Sequence, residues 1–240
     1  MTESVVLKVI AFVVFICIFN SCTKNENNDF SGPGGTFVDS RDMVKYNWVR
    51  IGDQIWMAEN LAYLPSVSSS AEDSDTDPYY YVYDYQGSNV TEAKVIANLQ
   101  TYGVLYNWAA ALNACPLGWH LPTDDEWKTL EMHLGMSQEQ ADDKAWRGTD
   151  EGGKLKETGT SHWSNPNAGA TNESGFTALP GGCRSNDGNF YYLGDNAYWW
   201  SATWGSASYA LRRYIRHDSA NVSRRSQYKG NGFSVRCIMD

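Results

Sequence analysis

Apolar positions are distributed very unevenly along this chain. One unbroken run from Val9 to Phe19 comes first, a polar stretch from Thr23 to Gly35 follows, and from Arg41 onward short apolar and aromatic runs alternate with turn residues. Trp48-Val49-Arg50-Ile51-Gly52-Asp53-Gln54-Ile55-Trp56-Met57 sets apolar runs on both sides of Gly-Asp, which predicts a β-hairpin. Ser66 to Asp77 is rich in Ser and Asp and reads as a loop, followed by a strand from Tyr79 to Tyr85. Tyr106 to Asn113 carries alanines and Leu112 at helical spacing and stops at Cys115-Pro116, because proline disfavours helix in the residue before it. A second helix has stronger signals: Thr123 caps it, Asp124, Asp125 and Glu126 occupy its first turn, and Trp127, Leu130 and Leu134 line one face. Beyond it, Gly- and Asn-rich turns separate Phe190 to Leu193, Tyr198 to Thr203, Tyr209 to Ile215 and Phe233 to Met239, all read as strands. Helices early and irregular strands late predict an α+β domain.

The opening run has the form of a targeting segment, with Lys8 ahead of it. Eleven apolar residues rise only ~16 Å as a helix, short of a ~30 Å hydrocarbon core, so a permanent membrane span is not expected. Phe19-Asn20-Ser21-Cys22 resembles the lipobox of bacterial lipoproteins, which implies cleavage before Cys22 and its acylation; an ordinary secretory signal is the alternative. The expected organisation is a signal peptide over 1–21, a flexible tether over 22–40 and a folded domain over 41–240, exported and held at the outer membrane or cell surface by lipid.

Composition supports a globular domain, with 42% hydrophobic and 20% charged residues. Net charge is −9, unchanged when Glu3 and Lys8 leave with the signal, which argues against nucleic acid or anionic headgroups as partners and leaves the lipid anchor as the membrane contact. Arg212, Arg213, Arg216, Arg224, Arg225 and Lys229 form a local exception, read as two polar strand faces, with an anion-binding patch as the alternative.

Metal and catalytic signals are weak. Asp73, Asp75, Asp77 and Asp84 have part of a calcium-loop spacing, but Pro78 stands where such a loop needs glycine, so a solvated acidic loop is expected. His120, His133, His162 and His217 lack ligand spacing, and neither Gly-x-Ser-x-Gly nor Cys-x-x-Cys occurs, which removes support for hydrolase and zinc chemistry. Asp124, Asp125 and Glu126 are explained as helix first-turn charges rather than as general acid and base. No cofactor or metal is expected. Ten Trp and fifteen Tyr are the conspicuous excess; most belong to a core, and some offer flat faces for sugar rings or partner pockets.

Three segments decide between topologies. Val49 to Leu61, Cys115-Pro116-Leu117-Gly118-Trp119-His120-Leu121-Pro122-Thr123-Asp124-Asp125-Glu126-Trp127, and Gly232-Phe233-Ser234-Val235-Arg236-Cys237 closely resemble the Fibrobacter succinogenes major paralogous domain. Ala178-Leu179-Pro180-Gly181-Gly182 and Tyr198-Trp199-Trp200-Ser201-Ala202-Thr203 add two further matches. That family occurs in lipoproteins of Fibrobacter and Bacteroidetes. The Gly-Trp-x-Leu-Pro-Thr-x-x-Glu-Trp segment is also similar to one in formylglycine-generating enzymes. This resemblance implies a C-type lectin-like fold: two helices flanking a small twisted antiparallel sheet, chain ends meeting, long loops on one side.

The resemblance further implies a disulfide between Cys115 and Cys237, which both lie in family motifs; three reduced cysteines are the alternative, and a Cys183–Cys237 copper pair is a remoter one. In a lectin-like domain the long-loop face meets ligand, here Arg184, Asn186, Asp187, Asn189, Tyr191, Tyr192 and Trp204. The expected function is a noncatalytic surface module binding a glycan or a surface protein. A structural or adhesive subunit of a surface assembly is the second reading, and an oxidase-like enzyme the third.

Overall fold

The computed structural model describes residues 29–240. The signal segment 1–21, Cys22 and the opening of the tether therefore lie outside the described residues. β1 (Gly34–Val38), β2 (Lys45–Ile51) and β3 (Gln54–Met57) form an antiparallel meander, with β2 and β3 turning at Gly52-Asp53. Gly52 has φ 61°, the left-handed value that a two-residue hairpin turn demands. A long loop leads to β4 (Tyr80–Tyr81); α1 (Val90–Lys94) and α2 (Ala97–Tyr102) follow, and β5 (Leu105–Tyr106) returns to pair with β4. Next come α3 (Trp108–Ala111), β6 (Trp119–His120), α4 (Asp124–His133), α5 (Gln138–Asp142), β7 (Ala145–Arg147) and α6 (Glu151–Leu155). The last third holds β8 (Gly181–Arg184), β9 (Phe190–Leu193), β10 (Asn196–Trp204), β11 (Tyr209–Arg216), β12 (Val222–Tyr228) and β13 (Ile238–Met239).

The strands form a five-stranded sheet in the order β1-β2-β3-β13-β6 and a six-stranded sheet in the order β7-β12-β11-β10-β8-β9. Pairing is antiparallel except between β8 and β10. The molecule is thus mixed α+β with several sheets, where one small sheet had been expected. Two cores explain why several sheets form. Trp199 faces a cluster with Trp56, Trp127, Leu130 and Phe176, while Trp200 faces one with Tyr106, Met57 and Phe233. Alternation along β10 therefore buries both sides of the six-stranded sheet. Each indole N–H has an acceptor, Asn60 Oδ1 for Trp199 at 3.0 Å and the Tyr106 carbonyl for Trp200 at 2.8 Å.

Several expected elements change. The domain begins before residue 41: β1 lies within the supposed tether, because Phe37 is buried and stacks on Trp119 with ring centres 4.5 Å apart. The Tyr79 to Tyr85 strand shrinks to β4, since Asp84 has φ 62° and turns the chain. The helix expected from Tyr106 starts later. Tyr106 is taken by β5, and the Asn107 side chain caps α3 by accepting from Ala110 N–H at 3.0 Å. The expected final strand from Phe233 is reduced to β13. The two central arginines of β11 do not form an exposed polar face: Arg212 and Arg213 are both buried, and Lys229 is buried as well, while Arg216 at the strand end stays partly open.

Cys115 and Cys237 are joined in a disulfide, with Cα atoms 5.9 Å apart and a sequence separation of 122. It ties the turn before β6 to the segment before β13. No helix among the described residues is long and apolar enough to cross a membrane.

Candidate functional site

The β8–β9 hairpin and the centre of β10 and β11 build a concave face. Asn186-Asp187-Gly188-Asn189 supplies the hairpin turn, where Gly188 takes φ 83° and Asp187 Oδ1 accepts from Asn189 N–H at 3.0 Å. In β9, Phe190 and Leu193 pack inward toward Tyr83, while Tyr191 and Tyr192 are 38% and 52% exposed. Two neighbours open to solvent break strict strand alternation, and Tyr192 has φ 64°. An aromatic residue there stores roughly 1 kcal/mol or more of backbone strain, a feature concentrated at functional sites.

A cavity of about 510 Å³ lies beside these tyrosines, with Tyr198, Phe233 and Arg212 among its walls and Gln227 and Asn231 adding amide groups. A second hollow of about 330 Å³ adjoins it, sharing Tyr192 and Tyr198 and bounded by Tyr214, Arg216 and His217. The rings run as a ladder. Tyr192 to Tyr198 measures 6.4 Å, Tyr198 to Tyr214 5.1 Å, and Tyr214 to Trp146 4.6 Å between centres. At the rim, hydrogen bonds from the Tyr191 hydroxyl at 2.6 Å and from the Asn189 N–H hold the Asp187 carboxyl down to about 2. Cys183 forms part of the cavity wall, and burial pushes its thiol up to about 12. With Cys237 committed to Cys115, a Cys183–Cys237 pair does not exist.

Of the residues expected on the ligand face, Asp187, Tyr191 and Tyr192 meet at this cavity. Arg184 does not. It is 0% exposed, and its guanidinium donates to the carbonyls of Ser70, Glu72 and Gly230 and pairs with Asp73 at 3.2 Å. The loop over 66–77 has little regular structure, so its buried carbonyls need such a donor. Asn107 helps by donating to the carbonyls of Ser74 and Asp77. Asn186 and Asn189 are exposed turn residues that do not border the cavity. Trp204 is 67% exposed but lies apart, because the β10–β11 register shifts between Trp200 and Trp204.

Tyr198 and Tyr214 were not expected at the site, and Arg212 was named only within the alternative anion-binding patch, not on the ligand face. The signal was present. Tyr198 pairs with Tyr214 and Trp200 with Arg212, so period-2 alternation puts all four side chains on one face, and Trp199 and Arg213 on the other. Which face opens to a cavity depends on the β8–β9 hairpin, which periodicity does not reveal. Arg213 meets α4 instead, contacting Asp124 Oδ1 and Glu131 Oε1 at 2.7 Å each. Among the described residues no group of three or more His, Cys, Asp or Glu is placed to hold a metal ion. Asp73, first of the suspected calcium-loop carboxylates, is engaged by Arg184.

No curated protein and no solved structure matches this chain. Residues 49–239 match the sequence model of the Fibrobacter succinogenes major domain (Fib_succ_major), a span that includes β3, α4, the disulfide and every wall of the tyrosine-lined cavity. On that match across most of its length, the chain belongs to the Fibrobacter succinogenes major domain family.

Proposed function

We propose that this protein is a noncatalytic binding module, exported and held at the outer membrane or cell surface by acylation of Cys22, and that it binds a glycan in the cavity beside Tyr191 and Tyr192. The observation carrying this reading is the pairing of two solvent-open tyrosine rings with amide side chains at one concavity. Sugar rings need that combination, because flat apolar faces receive their C–H surfaces and polar groups at the edge satisfy their hydroxyls. A C-type lectin-like fold, related to that of formylglycine-generating enzymes, fits this use. It is supported by the motif resemblance and by the first and last strands sharing one sheet. Fold analogy alone does not assign a ligand, so the cavity carries the argument.

A glycan array probed with the full chain in detergent, and with Tyr191→Ala and Tyr192→Ala, tests this proposal. The parent is expected to retain one glycan class, with each variant weakened on the order of tenfold by loss of a stacking face. A parent that binds no glycan, or variants that bind as the parent does, removes the reading. Selective capture of a protein ligand through the same tyrosines would replace the glycan with a protein partner.

A further inference from the structure

The two central arginines of β11 are neighbours in sequence with opposite electrostatic situations. Arg213 is matched by Asp124 and Glu131. Arg212 is 8% exposed, and its Nε and Nη1 are buried with no hydrogen-bond partner. Its guanidinium carbon lies 4.3 Å from the ring centre of Tyr214, 5.2 Å from that of Tyr198 and 5.7 Å from that of Phe233. Burial pushes its pKa down, and the groups acting on it are Tyr198, Tyr214, the Cys183 thiol and another cation, Arg225. Ring faces recover part of the desolvation cost of a buried cation, but a guanidinium with idle donors and no counter-ion is destabilising. Such a group is explained if a ligand completes it.

The ligand's chemistry follows from the surroundings. Arg212 forms part of the wall of the cavity of about 510 Å³, so an anion reaching it passes the tyrosine rings and the amides of Gln227 and Asn231. A guanidinium matches the planar two-oxygen geometry of a carboxylate. Net charge of −9 repels polyanions at long range, which favours a ligand presenting one carboxylate to one buried cation over a nucleic acid. We infer that the cavity takes an acidic sugar, a uronic or sialic acid, whose carboxylate pairs with Arg212 while its ring lies against Tyr191 or Tyr192. This inference rests on the glycan-binding reading and names the ligand class within it.

Titration of the full chain in detergent with an otherwise neutral oligosaccharide ending in a single galacturonic acid and with a singly sialylated oligosaccharide, each beside its carboxyl methyl ester, tests the assignment. Peptides with a free C-terminal carboxylate form a further arm. One acid sugar should bind, and esterification should weaken it on the order of tenfold to a hundredfold, the loss of a charge-assisted hydrogen-bond pair. Arg212→Gln should weaken binding of the free acid by a similar factor, so that the preference for acid over ester is largely lost, and should melt at the same or a higher temperature than the parent. The acid sugar should raise the melting temperature of the parent, an effect that needs no variant. Equal binding of acid and ester, Arg212→Gln binding as the parent does, Arg212→Gln melting well below the parent, or peptides binding in place of sugars would each overturn the assignment. Binding of neutral glycans that Tyr192→Ala abolishes, with no preference for the acid, would overturn it and leave the glycan reading intact. A parent that binds no glycan at all ends both.

Discussion

At the scale of single residues, Asp124 shows how much a local reading of the sequence captures and where it stops. Its place in the first turn of a helix was legible, and the charge does favour the helix N-terminus. Its burial was not legible, because that comes from Arg213 and Arg224, about ninety or more residues away, which donate to it at 2.7 and 2.6 Å. Glu131, fully buried about two turns further along the same face of α4, accepts from Arg147 and Arg213 and extends the same network. Burial alone would raise the Asp124 carboxyl; the guanidiniums of Arg224 and Arg213 outweigh that and bring it from 3.8 down to about 2. A carboxyl that is more acidic when folded stabilises fully above its unfolded value, so its contribution falls as pH drops from about 4 to about 2. The amount lost is roughly 2 kcal/mol. Asp124→Asn should therefore cost ~3–5 kcal/mol at neutral pH, leaving buried cations short of charge, and should flatten the decline in that acid window. Urea denaturation across pH 2 to 6 checks this. An unchanged slope in the variant would show that the acid sensitivity originates elsewhere.

Among the elements, α4 and the β2–β3 hairpin were readable because both are specified by contiguous residues. Thr123 and Glu126 form a reciprocal capping box, and Trp127 and Leu130 fill the buried stripe. Segments whose conformation depends on distant partners were misread: Tyr106 is drawn into β5 by Tyr80, and Phe233 makes only an isolated bridge with Tyr106. The Cys115–Cys237 bridge belongs to this scale, since it fastens the start of β6 to the approach of β13. With a sequence separation of 122 between its ends, it restricts the unfolded chain by up to ~4–5 kcal/mol in the chain-entropy account. Cys115→Ser should lower the thermal midpoint by on the order of 10 °C. A midpoint within a degree or two of the parent would assign the bridge no stabilising role.

For the whole molecule, the boundary of the folded unit is the feature the sequence hid. Residues 34–38 contain glycines and only two large apolar side chains, yet β1 pairs along its whole length with β2 and sends Phe37 into the core. Phe30, further upstream, also packs against Trp48, with ring centres 5.2 Å apart. A chain beginning at Arg41 should be less stable than one beginning at Asp29 by ~3–5 kcal/mol or more from the loss of Phe37 alone. Equal midpoints for the two would make β1 dispensable. The candidate site was half legible for a related reason: the β8–β9 turn announces its tyrosines locally, but the arginine beneath them is exposed as unmatched only once two faces of a sheet are compared. The placement of β13 between β3 and β6 carries a further consequence for how the protein is made. β1, β2 and β3 are synthesised long before β13, with every other strand and helix in between, so the five-stranded sheet cannot be completed until its late central member has been made.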